Sequence, residues 1–375
     1  MPAQKQGELL HETQKSQRCV NFEAALPGWQ NSAGHGWKLL LKTLCTRLVC
    51  HQQGIISVLR RLGFPAAELE GFAAKGDCQN IGCLAAYEGS GMIVVEDKSG
   101  RGDYLIVTRQ TDHAFLAGFF AREWGNDQFV KPEPNGSFCL AVAEHDNGWA
   151  DWELKPTLDP KTHLPFSFMS IPTETHIALY QRGIERLVKV DHYAGLLAVM
   201  HASELYDRSR ATMPGYSAKY VKAEESGVAG DFVQQLRLQQ LRLKVDLRAN
   251  PATKNYADEP LLRANSARLE TLDRLSLHFC MDPAEDALLD GVPVNDQGED
   301  ADMELYAEGA GIVAVAPYPF RRNPLEFSIM ARRVPKKIYS SDADFQKTLA
   351  AAPYFPLKFS MRARPEHAFS QVVGN

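Results

Sequence analysis

The order in which the hydrophobic period changes along this chain restricts its fold more than any single motif does. Alternation of period two occupies Met92-Ile-Val-Val-Glu and Tyr104-Leu-Ile-Val-Thr, two strand-like runs around Asp97-Lys-Ser-Gly-Arg-Gly-Asp, a polar connection suited to a hairpin. The period then lengthens. Thr111 or Asp112 is placed to cap a helix reaching about Trp124, with Phe115, Leu116, Phe119 and Phe120 on its apolar side and Gly125-Asn-Asp as its stop. Helical patterning continues over residues 138–152, 173–190, 194–206, 231–248 and 261–281, the last interrupted at Asn265-Ser266. Residues 282–302, rich in Asp, Gly and Pro, read as a loop. Strand patterning returns in Gly311-Ile-Val-Ala-Val, Leu325-Glu-Phe-Ser-Ile-Met-Ala and Pro356-Leu-Lys-Phe-Ser-Met-Arg, with one short helix at 341–352 opened by Ser341 or Asp342. Strands, then helices, then strands predict an α+β fold: a mainly helical bundle beside one small antiparallel sheet that joins the N-terminal hairpin to the C-terminal strands.

Residues 1–91 break from this pattern. They are rich in Gln and Gly, hold five of the seven cysteines, and carry no sustained period outside residues 39–62. The expected organisation is an accessory or poorly ordered extension over 1–91, or an upstream extension from a misassigned start. A single domain follows over 92–366, then a short tail over 367–375. An odd cysteine count without regular spacing or a CxxC pair argues against a secreted disulfide framework and against a zinc ribbon. Cys139 and Cys280 lie in apolar helical runs, where buried free thiols are expected. Met1 to Phe22 is polar throughout, and the apolar stretch over 37–64 is interrupted by Lys38, Lys42, Arg47, His51, Arg60 and Arg61. The sequence reading is cytoplasmic, with no membrane partner. A net charge of −5 supplies no basic footprint, so no nucleic-acid partner is expected. GxGxxG, GxxxxGK[ST] and GxSxG are all missing, which removes the basic parts of dinucleotide, P-loop and hydrolase-elbow sites.

The chemistry-bearing residues are His113 in the first turn of the first helix, His145 followed directly by Asp146, and Asp273 in Leu272-Asp-Arg-Leu-Ser. Neutral imidazoles mixed with carboxylates suit Mn, Fe, Zn or Ni better than Mg. The order His, His–Asp, Asp resembles that of the metal-dependent His–Asp phosphohydrolases. That resemblance implies a divalent ion held by His113, His145, Asp146 and Asp273, with positions left for water and a phosphate oxygen. His176 and His201, on intervening helices, would grip phosphate or a second ion, and Glu144 would act as an acid or base. His192 falls at a helix boundary and is the weaker candidate. Adjacent residues on a helix point about 100° apart, so a helical His145–Asp146 pair would not aim at one spot. Trp124, Trp149 and Trp152, with Asn126, Asp127, Asn147 and Asp151, are candidates for the site wall. The Pro-punctuated segment 155–166 is a candidate lid.

Gln110-Thr-Asp-His113, Trp124-Gly-Asn-Asp, Ala143-Glu-His-Asp-Asn-Gly-Trp149, Asp191-His-Tyr-Ala-Gly-Leu-Leu197, His201, Leu272-Asp-Arg-Leu-Ser-Leu277 and Pro317-Tyr-Pro-Phe320 together resemble a bacterial family, domain of unknown function 3891. The resemblance spans about Met92 to Arg364 and implies no established activity. Two functional classes stand at this point. One is a metal-dependent phosphohydrolase acting on a small phosphorylated molecule, a phosphate ester or nucleotide. The other is a non-catalytic helical binding or structural module whose His and Asp residues form a polar core network. The oligomeric state is not legible in the sequence.

Overall fold

The computed structural model describes residues 92–99, 102–206, 227–281 and 283–365. The expectations for residues 1–91 and for the tail after 366 lie outside the described residues. Chain order begins with β1 (Ile93–Glu96) and β2 (Tyr104–Thr108), then α1 (Gln110–Glu123), α2 (Asn135–Glu144), a 3-10 turn at Asn147–Trp149 and the short α3 (Ala150–Glu153). Next come α4 (Thr173–Val188), α5 (His192–Tyr206), α6 (Gly227–Ala249) and α7 (Glu259–Met281). The chain finishes with β3 (Ala287–Pro293), β4 (Asp300–Gly309), β5 (Ile312–Ala316), β6 (Leu325–Pro335), α8 (Asp342–Ala351) and β7 (Tyr354–Ala363).

The class is α+β, but the expected bundle of the His–Asp type with a small antiparallel sheet does not form. All seven strands join one curled, mixed sheet in the order β1-β2-β6-β7-β5-β4-β3. Its β5–β7 pair is parallel, with Ile312 opposite Ser360 and Val315 opposite Ala363. Half of the difference comes from residues 282–302, read as a loop, which instead supply β3 and the start of β4. In β3 only Leu289, Val292 and Pro293 are buried, and the register shifts between Leu289 and Val292, where Gly291 takes φ +62°. That irregularity breaks the period-two signal. In β4 the buried Met303 and Leu305 do alternate, but acidic neighbours on the exposed face dilute them.

The helices pack against this sheet through aromatic side chains. Phe120 of α1 and Phe279 of α7 meet Phe327 of β6 edge-on at 4.9 and 4.8 Å between ring centroids, and Phe279 also meets Phe359 of β7 at 5.1 Å. Each such ring removes a large apolar surface from water, which fixes α1 and α7 side by side over the sheet. Phe115, expected on the same face, is exposed instead, beside Arg122. Asn265 and Ser266 do not interrupt α7. Both are buried, with the Asn265 amide donating to the Glu133 carbonyl and the Tyr193 hydroxyl, and Ser266 Oγ bonded to Glu204. Ser341 does cap α8, accepting from the Asp344 amide at 3.2 Å. Among the described residues no helix is long and apolar enough to cross a membrane.

Candidate metal centre

The predicted single helix over 138–152 ends at Glu144, and this interruption builds the site. His145 keeps helical angles as the cap of α2, whereas Asp146 sits at φ −105°, ψ 19°, outside the helical basin, before the 3-10 turn at Asn147–Trp149. The turn removes the geometric objection to an adjacent pair, because Asp146 no longer follows the rotation of a helix. Two close approaches hold it in place. A Cβ on Gly118 of α1 would lie 2.4 Å from Ala143 Cβ, and a Cβ on Gly148 would lie 1.9 Å from the Leu179 carbonyl oxygen of α4. Only residues without side chains let α1 and α4 come this near.

His113 from α1, His145 and Asp146 from the end of α2, His201 from α5 and Asp273 from α7 meet in the interior, every one of them buried. Among the described residues two groups have ligand atoms mutually within 4.8 Å: His113, His145 and Asp146, and then His145, His201 and Asp273. His113 Nε2 lies 3.0 Å from Asp146 Oδ2 and 3.7 Å from Asp273 Oδ1. His145 Nε2 lies 3.3 Å from Asp273 Oδ1 and 3.8 Å from Asp146 Oδ2, without making a hydrogen bond to either. His201 Nε2 stands 3.8 Å from Asp273 Oδ2, and neither of its ring nitrogens has a hydrogen-bond partner.

Surrounding groups fix the tautomers. Ser276 Oγ donates to the Asp273 carbonyl at 2.9 Å, so at its 2.8 Å contact with His113 Nδ1 it accepts. His113 Nδ1 therefore carries a proton, and the neutral ring turns the bare lone pair of Nε2 toward the Asp146 carboxylate. His145 is fixed in the same way, Nδ1 donating to the Val142 carbonyl at 2.8 Å. Outer partners of this kind are how ligating histidines are oriented. Tyr180 of α4 donates to Asp146 Oδ1 at 2.9 Å and holds the carboxylate from behind.

Charge follows from burial and neighbours. Burial opposes ionisation of Asp146 and Asp273, but the surrounding histidines outweigh it and hold both carboxyls below the usual range. Burial also works against a charged His145, and the two carboxylates overcome it, raising the group to about 9. For His201 burial prevails over Asp273 and lowers it to about 4, leaving a neutral imidazole at pH 7. The cluster thus presents two negative charges and inward-facing lone pairs, a donor set that fits a divalent first-row metal.

All four predicted ligands converge, and His201 joins them. His176 stands one layer out, its Nδ1 on the Tyr206 hydroxyl at 2.7 Å and its ring 4.6 Å from that of Tyr180. Glu144 closes α2, half-buried, and is not among the residues whose ligand atoms converge. His192 opens α5 exposed. Trp124, Trp149 and Trp152 are buried core, as the aromatic spacing of ordinary helices allows. The polar residues proposed for the wall instead brace the fold: Asn126 donates to the Tyr318 carbonyl, Asn147 to those of Glu144 and Gly183, and Asp151 pairs with Arg182 and Arg186. Segment 155–166 is tied to the C-terminal region, with the Leu158 amide on Asp342 and the Tyr339 amide on the His163 carbonyl. Tyr180 and Ser276 were missed. The available signal was spacing: Ser276 follows Asp273 by one helical turn, and Tyr180 follows His176 by one.

The family described as "Protein of unknown function (DUF3891)" matches residues 92–336, which takes in every residue of the cluster. No curated protein and no solved structure matches the chain.

Proposed function

The chain belongs to the DUF3891 family, and from that premise we propose that its buried His–Asp cluster is a divalent metal centre that serves hydrolysis of a phosphate ester. One observation carries the metal reading. The proton on His113 Nδ1 is committed to Ser276, yet Nε2 faces a carboxylate oxygen at 3.0 Å. Two lone pairs at that distance repel unless a cation or a second proton lies between them. A divalent ion meets both needs at once, neutralising Asp146 and Asp273 and filling the empty valence of His145 and His201. Mn, Fe, Zn or Ni match the mixed nitrogen and oxygen donors.

When bound, such an ion supplies Lewis acidity and lowers the pKa of a coordinated water to near neutral. The chain's own contribution is orientation: Ser276 and the Val142 carbonyl set the imidazoles, and Tyr180 sets Asp146. His–Asp order in the sequence is what directs the reading to phosphate esters, of which a nucleotide is one kind.

A second reading has its own support. The ligating side chains are at most 9% exposed, which suits an ion that ties α1, α2, α5 and α7 together without meeting a substrate. Metal analysis and a phosphatase assay separate the cases. The protein should carry about one equivalent of transition metal, with His145→Ala below a tenth, and the metal-loaded form should hydrolyse an aryl phosphate. Retained metal, a fall in melting temperature on chelation and no hydrolysis would transfer support to the structural reading. A wild-type protein with no affinity for Mn or Zn would end both.

A further inference from the structure

We propose that the centre is mononuclear with five protein ligands, His201 being the fifth, so that a six-coordinate ion keeps one open position. This rests on the metal reading above and adds to it the number of ions and the space left at the ion.

Two overlapping triads invite a two-ion interpretation, with His201 and His176 serving the second ion. The geometry argues otherwise. His145 belongs to both triads, and its Nδ1 is used by the Val142 carbonyl, so it has a single lone pair, at Nε2, to give. An imidazole nitrogen binds one ion. The two triads therefore share that ion. A second ion would be left with His201 and Asp273 alone, because His176 lies in neither group and has its Nδ1 on Tyr206.

The separations agree with one coordination sphere. With bonds of about 2.1 Å, adjacent ligand atoms of an octahedron lie about 3.0 Å apart and opposite ones about 4.2 Å. The measured pairs run 3.0, 3.3, 3.7, 3.8 and 3.8 Å, between those limits. His201 is buried with both ring nitrogens unpartnered, and its Nε2 is turned to the free Asp273 oxygen. A buried imidazole that makes no hydrogen bond gives up interactions worth about 1–3 kcal/mol, an unusual state unless something is bound there. Ring centroids at 5.2 Å for His113 and His145, and 5.1 Å for His145 and His201, with planes near perpendicular, set the three imidazoles around a common point.

The consequence is chemical. With three imidazoles and two carboxylates in place, a water and a substrate oxygen must compete for the same position, and a substrate phosphate is not clamped between two ions.

Titration of the full chain with Mn(II), read by pulsed EPR for the number of coordinated imidazole nitrogens, tests this. The expected result is one equivalent bound and three imidazoles, falling to two in His201→Ala, with affinity lowered at least tenfold and partly recovered by added imidazole. His176→Ala should keep stoichiometry, imidazole count and affinity within about threefold. Two equivalents of Mn(II), or only two imidazoles in the wild-type protein, would overturn the five-ligand assignment while leaving the metal centre standing. No Mn(II) binding would remove both. If His201→Ala fails to fold, His201→Gln gives the same imidazole count, and the wild-type count decides by itself.

Discussion

At the level of single residues, the site separates groups that face the common point from groups that hold them there. Tyr180 belongs to the second kind. Its hydroxyl takes one lone pair of Asp146 Oδ1, which leaves Oδ2 facing His113. Tyr180→Phe keeps the ring that packs on His176 and deletes only this bond. Metal affinity should fall about 10- to 100-fold, the range found when an outer partner of a ligand is lost. Isothermal titration with Zn(II) measures it, and an unchanged affinity would mean that Asp146 needs no such support. The ligands themselves were legible because residue type and order carry chemistry directly. Ser276 and Tyr180 were not, since a serine or tyrosine on a helix has many ordinary uses and only its contact identifies this one.

At the level of elements, the decisive feature is the break after Glu144. A helix running through to Trp152 would carry Asp146 about 100° away from His145. The turn instead depends on Gly148 lying against α4. Gly148→Ala would drive a methyl group into the Leu179 carbonyl, a backbone atom that cannot swing aside. We expect a loss of about 3 kcal/mol or more, read by denaturant unfolding, together with loss of bound metal as α4 moves off the turn. Stability within 0.5 kcal/mol of the parent would show that the approach is looser than described. The helical period over 138–152 was real, yet it could not reveal the stop. Asn147 and Gly148 are weak signals by themselves, and it is packing against Gly183 and Leu179 that makes them end the helix.

For the whole molecule, β7 decides whether the sheet exists as one piece. It pairs antiparallel with β6 and parallel with β5, and it buries Phe359 and Met361. Without it, β3, β4 and β5 lose their connection to β1, β2 and β6. The family match ends at residue 336, before this strand begins. A chain stopped after Lys336 should therefore be insoluble, or lack a cooperative thermal transition, whereas one stopped after Pro365 should melt as the full chain does. A cooperative transition in the shorter protein would mean that the helices are stable without a continuous sheet. β7 itself was recognised from alternation. That it lies between β5 and β6 was not, because hydrophobic period reports which face of a strand is buried and says nothing about its neighbour.

What the sequence determined alone was local or chemical: the α+β class, most helix positions, Ser341 as a cap, and the identities of His113, His145, Asp146 and Asp273 as one potential donor set. These follow from periods and residue types within a short window. Tertiary structure decided the rest. It turned a small antiparallel sheet into seven mixed strands, since an irregular strand such as β3 becomes recognisable only beside its partner. It also drew His201 into the cluster and left His176 outside, a distinction between two histidines on helices that depends on how those helices are rotated and packed.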